Sequence, residues 1–281
     1  MTGGVPLPIA LPDGAALSAR VWEGAHGPPR RAVVLLGALG TEQRYLRHLA
    51  ADLAGRGWGV LSFDYRGVGD SPVAGDPQAI NLDAWAADVR AAVAAARARF
   101  GVRPVALGHS LGGMLLGHSG AGEAVAGAVA VASSLGVPEL YGLGRDRWRL
   151  ELAYRALPGL ARLRGHLPRF VFGARVPRDA VAHWVRWGRE GRYTAWDGAS
   201  SGPAFARLEG PLVGVALRDD GYAPLPAVDA FLAAFPRARA RREVLAPRDG
   251  ETLGHFGLFR ADAPAWAREA LHAWLEEAAA G

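Results

Sequence analysis

Short, continuous apolar runs recur along the chain and alternate with stretches of helical period. Residues 32–36 (AVVLL), 58–63 (WGVLSF), 105–107, 125–132 and 212–217 lack polar alternation. That is the pattern of strands buried on both faces of a parallel sheet. Between them, helices are predicted over about 44–56, over 83–100 with an apolar stripe through Trp85, Val89 and Val93, and from Leu111 to about Gly117. Residues 242–245 predict a further strand, and 264–278 a terminal amphipathic helix opened by a proline, a residue suited to a first helical turn. Residues 5–22 alternate apolar and polar around Pro12-Asp13-Gly14, which predicts a β-hairpin. Strands alternating with helices imply βαβ units. The expected class is therefore α/β, with a mostly parallel central sheet flanked by helices.

At 281 residues the chain suits two domains or one large domain with an insertion. Residues 137–207 break the strand–helix rhythm and hold four of the nine Trp (148, 184, 187, 196). They are expected to form a helical cap, inserted into a core made of residues 1–136 and 208–281. Half of the residues are hydrophobic, which excludes intrinsic disorder. Cys is absent, and so is Lys: all 32 basic residues are Arg. This removes thiol and amine nucleophiles, Schiff-base chemistry and a Lys-dependent phosphate loop. The formal net charge of +5 is spread along the chain. Its densest cluster, Arg237, Arg239, Arg241 and Arg242, reads as a solvated connection before a strand rather than a phosphate patch, because no nucleic-acid module surrounds it. The first residues do not resemble a secretion signal, and the longest apolar stretch is interrupted by Gly and Ser. A cytoplasmic protein without membrane insertion is expected.

The chemistry concentrates at Gly108-His109-Ser110-Leu111-Gly112, which follows a predicted strand and opens a predicted helix. That context is what a nucleophile elbow needs: a serine in a tight turn, with glycines on both sides keeping side chains clear. A serine hydroxyl requires a general base, and the base an orienting acid. Of the eight His, only His255 lies in a loop between the last predicted strand and the last helix. The acid belongs at the end of strand LVGVAL, where Asp219 and Asp220 compete. The spacing Asp-x-x-x-Pro to Pro224 favours Asp220, with Asp219 as the alternate. An oxyanion hole needs backbone donors. The amide after the nucleophile, Leu111, supplies one. The loop Gly37-Ala38-Leu39-Gly40 supplies the other, from Ala38 or alternatively Leu39.

These residues carry a resemblance. The chain is similar to an α/β-hydrolase, with the elbow at Ser110, the acid loop at Asp220 and the His loop at His255. Asp64-Tyr65-Arg66-Gly67-Val68-Gly69-Asp70-Ser71 resembles the D-x-R-G-x-G-x-S segment of that superfamily. GALGTEQRYLRHLA, FDYRGVGDS, GHSLGGMLLG and GHFGLFR together resemble bacterial α/β-hydrolases near the serine aminopeptidase-like and monoacylglycerol-lipase-like branches. One departure stands out: the His-Gly that usually precedes the oxyanion loop is Leu36-Gly37 here. Asp64 and Arg66 are expected to be structural. Phe256, Leu258 and Phe259 are assigned to the core ahead of substrate contact.

The reading that follows is a serine hydrolase, a carboxylesterase or lipase-like enzyme that cleaves a small or medium apolar ester through Ser110, His255 and Asp220. No cofactor or metal is required. Gripping of an anionic substrate by Arg145, Arg147 or Arg149 is a weaker variant. The same triad would serve an acyltransferase, a perhydrolase or a peptidase, and the scaffold would also serve a non-catalytic ligand-binding protein. The expected partner is a small-molecule substrate and not nucleic acid; a homodimer is left open.

Overall fold

A computed structural model of the chain describes residues 3–24, 27–73 and 75–281. The first strands are β1 (Val5–Pro6), β2 (Ile9–Ala10), β3 (Ala16–Leu17) and β4 (Ala19–Trp22). β2 and β3 form the expected hairpin about Pro12-Asp13-Gly14, while β1 and β4 join the main sheet. Then come β5 (Arg31–Leu36), α1 (Arg47–Gly55), β6 (Trp58–Phe63), α2 (Leu82–Phe100), β7 (Val105–His109), α3 (Leu111–Ser119) and β8 (Ala128–Val131). β8 is shorter than the apolar run from Val125 to Ala132: Val125 caps the helical turn Ala121–Ala124, and the strand runs from Ala128 to Val131.

An insertion follows, with α4 (Arg145–Arg164), β9 (His166–Leu167), α5 (Arg169–Phe172), β10 (Val176–Pro177), α6 (Arg178–Glu190) and α7 (Gly202–Phe205). It holds these helices and a two-stranded ribbon of β9 and β10. The chain closes with β11 (Pro211–Leu217), α8 (Leu225–Leu232), β12 (Arg239–Leu245) and α9 (Ala265–Ala280). β12 starts earlier than the sequence suggested. Arg239, Arg241 and Arg242 therefore lie within the strand, not in a connection before it. β12 is an edge strand, so its long polar side chains reach solvent and pair with Glu243, Glu277 and Asp229. Charge on an edge strand also discourages pairing with another chain.

The eight-stranded sheet has the order β1-β4-β6-β5-β7-β8-β11-β12, with β6 through β12 parallel and β1 and β4 antiparallel at one side. Every residue of β6, β7, β8 and β11 is buried. Their uninterrupted apolar character is thus the consequence of helices covering both faces. From β5 the chain steps to β6, then returns past β5 to β7. Right-handed crossovers place α1 and α2 on opposite faces as a result. The reversal opens a crevice between the C-terminal ends of β5 and β7, the topological switch point where open α/β sheets hold ligands.

Local signals set the helix ends. The Asn81 side chain accepts from the Asp83 and Ala84 amides, and Gly101 ends α2 at φ 72°; both devices satisfy backbone groups the helix leaves unpaired. The insertion is fastened to this start of α2. The Leu82 amide donates to His183 Nδ1 at 3.3 Å, and His183 Nε2 donates to the Thr194 carbonyl at 2.7 Å. His183 is fully buried. Burial, with help from Arg186 and His118, pushes its pKa down from 6.5 to about 4, against the opposing pull of the Thr194 carbonyl and Asp83.

The neutral ring is needed because a protonated Nδ1 cannot accept from Leu82. The unfolded chain binds this proton first, so the stability is present above about pH 6.5 and lost as pH falls toward 4. Urea midpoints are expected to drop between about pH 7 and about pH 5, and to drop less in His183→Gln. Equal slopes in both proteins would remove His183 from the acid sensitivity.

Candidate functional site

The switch point is where Ser110 stands. It joins β7 to α3 with φ 52° and ψ −115°. Left-handed backbone at a residue with a side chain costs about 1–3 kcal/mol and persists only where the surroundings enforce it. Here the enforcement is steric. A Cβ on Gly108 would lie 2.5 Å from the Gly113 amide nitrogen. One on Gly112 would collide with the Leu36 carbonyl, and one on Gly113 with Ser133 Oγ. The turn is therefore packed between β5 and β8 with no room for side chains on its glycines. Backbone bonds pin it: the Ser110 amide donates to Val131 O at 2.8 Å, and Ser133 Oγ donates to Ser110 O at 2.7 Å. Ala132, just before Ser133, is the other non-glycine residue with positive φ (53°) among the described residues. Nothing in the sequence marked Ala132 or Ser133.

The fold brings His255 and Asp220 together. His255 Nδ1 lies 2.7 Å from Asp220 Oδ2, and the Asp220 side chain is wholly buried. Asp220 Oδ1 also accepts the Tyr222 amide at 2.7 Å. Its neighbour Asp219 does different work. Asp219 Oδ2 accepts the amides of Leu253 and Gly254, each at 2.9 Å, and so ties down the loop that carries His255. No hydrogen bond joins Ser110 Oγ to the His255 imidazole, whose Nδ1 is taken by Asp220.

A second tie to this loop runs through His109, the residue before Ser110. Its ring is fully buried, stacked on Phe259 at 4.2 Å between centroids and edge-on to Phe256. Nε2 donates to the His255 carbonyl at 2.9 Å, while the buried Nδ1 has no partner among the described residues. Burial first, and the nearby His255 second, hold its pKa well below the usual histidine value. His109 is thus a neutral donor that links the residue before Ser110 to the backbone of His255. The aromatic cluster divides: Leu258 and Phe259 are core, whereas Phe256 is partly exposed beside His255.

The loop after β5 turns back through a Thr41 amide bond to Ala38 O at 3.0 Å. Among the described residues the amides of Ala38, Leu39 and Leu111 have no hydrogen-bond acceptor, so both loop candidates are free to donate. Gly40 packs under Phe172 and Val176 of the insertion. Asp64 holds the same loop from below. It accepts the Gln43 amide at 2.6 Å and the Asp70 amide at 3.1 Å. Burial raises its pKa against those bonds. Arg66 forms a two-pronged pair with buried Asp88 at 2.6 and 2.7 Å. Both residues are structural. Of the three arginines expected as anion grips, Arg147 and Arg149 are paired with Glu151 and Asp146 at 2.9 and 3.7 Å, whereas Arg145 has no carboxylate partner among the described residues.

The same three residue types meet a second time. His118 Nδ1 lies 2.8 Å from Ser201 Oγ, and its Nε2 2.8 Å from Asp83 Oδ1. Ser201 has ordinary right-handed backbone and is buried. Asp83 also accepts the Trp196 amide at 2.9 Å. This chain fastens the insertion to α2 and α3.

The fold and the crevice define an α/β-hydrolase. The model of the family described as "Serine aminopeptidase, S33" matches residues 27–184, more than half of the chain. The chain belongs to that family. The match includes Ser110 but ends before Asp220 and His255. No curated protein matches the sequence significantly. Solved structures share the fold at low identity. A soluble variant of monoglyceride lipase from Saccharomyces cerevisiae, in complex with a substrate analog, is 14% identical with a TM-score of 0.71, over 99% of this chain and 97% of that one. A thermostable carboxyl esterase from Bacillus coagulans is 16% identical with a TM-score of 0.68, over 97% of each chain. Est1E from Butyrivibrio proteoclasticus, with ferulic acid bound, is 17% identical with a TM-score of 0.66, over 98% and 100%.

The turn's geometry leads to a stability test. Gly112→Ala is expected to destabilise by about 3 kcal/mol, because the new methyl meets fixed backbone of β5. Gly159→Ala, in the open on α4, is expected to be neutral or slightly stabilising in the same urea titration.

Proposed function

We propose that the protein is a serine carboxylic-ester hydrolase in which Ser110 is the nucleophile, His255 the general base and Asp220 the orienting acid. The observation that carries this is the 2.7 Å contact of His255 Nδ1 with a buried Asp220, at the rim of the crevice where Ser110 is held in a left-handed turn. Nδ1 bound to a carboxylate leaves Nε2 available to take the Ser110 proton. Ser110 Oγ attacks the ester carbonyl, and the amides of Leu111 and Ala38, or Leu39, receive the oxyanion. His255 returns the proton to the leaving alcohol. Water, activated by the same imidazole, releases the acid. His109 and Asp219 act as positioning residues, one holding the His255 carbonyl and the other the preceding amides.

Residues 137–207 serve as a cap on a core of 1–136 and 208–281. Its Phe172 and Val176 lie over the oxyanion loop, and Tyr141 donates to the Tyr222 carbonyl beside the acid at 2.7 Å. Phe172, Tyr222 and Phe256 give the site apolar walls, which favours an apolar ester of small or medium size.

A fluorophosphonate probe is expected to label the wild type and Ser201→Ala, but not Ser110→Ala. Labelling that survives in Ser110→Ala would refute the assignment. On a p-nitrophenyl ester panel, Asp220→Asn is expected to lower kcat by about 10⁴. Asp219→Ala, which only loosens the loop, is expected to lose up to about a hundredfold.

Positioning by His109 is read separately. His109→Phe is expected to slow ester turnover about tenfold in kcat at unchanged KM. His109→Gln, which restores a donor, should recover most of the rate. Equal losses in both variants would mean that His109 matters for packing alone.

A further inference from the structure

We infer that a cleft beside the site binds a compact oxyanion, phosphoryl or carboxylate. The cleft, about 500 Å³, opens between the insertion and the loop that follows β6. Pockets of this size hold small-molecule ligands. Gly67, Gly69 and Ser71 form the core side, and Arg164, Arg169 and Arg175 line the insertion side. Glu42 is the one carboxylate among the lining residues, and it is already engaged by Arg169 at 3.0 Å and by Arg44 at 2.5 Å. Arg164 and Arg175 have no carboxylate partner among the described residues. Two arginines without a carboxylate partner among the described residues therefore line one cleft.

Guanidinium cannot be deprotonated in a protein, and its planar fork matches the oxygens of phosphate and carboxylate. Two forks on one cleft give a bidentate clamp for a single anion, stronger than a point contact with one surface cation. The loop after β6 lies two strands from β7 and Ser110, roughly 10 Å at the usual strand spacing. The insertion segment between Arg169 and Arg175 includes Phe172, which packs on Gly40 of the loop beside the site. An anion in the cleft would thus neighbour the crevice without occupying it. It can arrive free or as the remote end of a substrate. The clamp does not depend on the hydrolysis reading, and the first arm of its test does not use catalysis.

Inorganic phosphate titrated into the protein at constant ionic strength, followed by calorimetry, is the first arm. The expected result is one saturable site, weakened about tenfold or more in Arg164→Gln/Arg175→Gln and unchanged in Arg147→Gln. No saturable binding by the wild type, or equal binding by the double variant, overturns the proposal. The second arm compares p-nitrophenyl hemisuccinate with p-nitrophenyl butyrate. A selective loss of kcat/KM for the charged ester in the double variant assigns the cleft to a substrate-borne anion. Phosphate binding without that loss assigns it to a free anion. Failure of both esters to turn over, with phosphate still bound, would count against the hydrolase reading alone.

Discussion

The backbone of Ser110 is the constraint from which the site follows. A residue with a side chain sits at φ 52° because β7, α3 and the end of β5 meet too closely for any other path. Gly108, Gly112 and Gly113 are the means of that approach. The result projects the serine side chain out of the sheet at the switch point, while the amide of Leu111 is left without a partner at the first turn of α3. The proposed nucleophile and the proposed oxyanion donor are thus produced by one turn. A fold that relaxed the strain would separate them.

Asp220 and His255, the proposed acid and base, are held by a different kind of force. Neither lies on a regular element, so hydrogen bonds replace the rigidity that a strand or helix would give. Asp219 binds two amides just before His255, Asp220 binds the imidazole, and His109 binds the His255 carbonyl. Three side chains, two from the loop after β11 and one from the end of β7, converge on one short segment. Two of them are adjacent in sequence, which is why Asp219 and Asp220 looked like competitors. Each is required by a different part of the same loop.

Much of this was legible from residue order. Continuous apolar runs gave the parallel strands because burial on both faces removes alternation, and WGVLSF is β6 at both ends. The elbow, the His loop and the acid loop each sit where the strand–helix rhythm breaks. What escaped were features made by tertiary contact. The role of His109 depends on a loop 146 residues away. Ser133 and Ala132 act through backbone geometry that no side-chain pattern encodes. β12 was under-read because an edge strand carries Arg at positions that an inner strand would fill with Val or Leu. The ribbon of β9 and β10 is too short to show a period at all.

The two Ser–His–Asp chains in this molecule show why geometry has to be read together with environment. By hydrogen-bond distance alone, Asp83, His118 and Ser201 form the more complete set, since both of its contacts are made. Yet Ser201 has relaxed backbone and lies buried where the insertion meets the core. A hydroxyl locked in that contact stabilises the fold; it has no reacting carbonyl to approach. Ser110 is the reverse, strained and only partly buried, with unpartnered amides beside it and a base whose far nitrogen is uncommitted. An unmade bond at a strained, accessible serine fits catalysis better than a finished one in the interior, because transition-state stabilisation needs groups not already satisfied in the ground state.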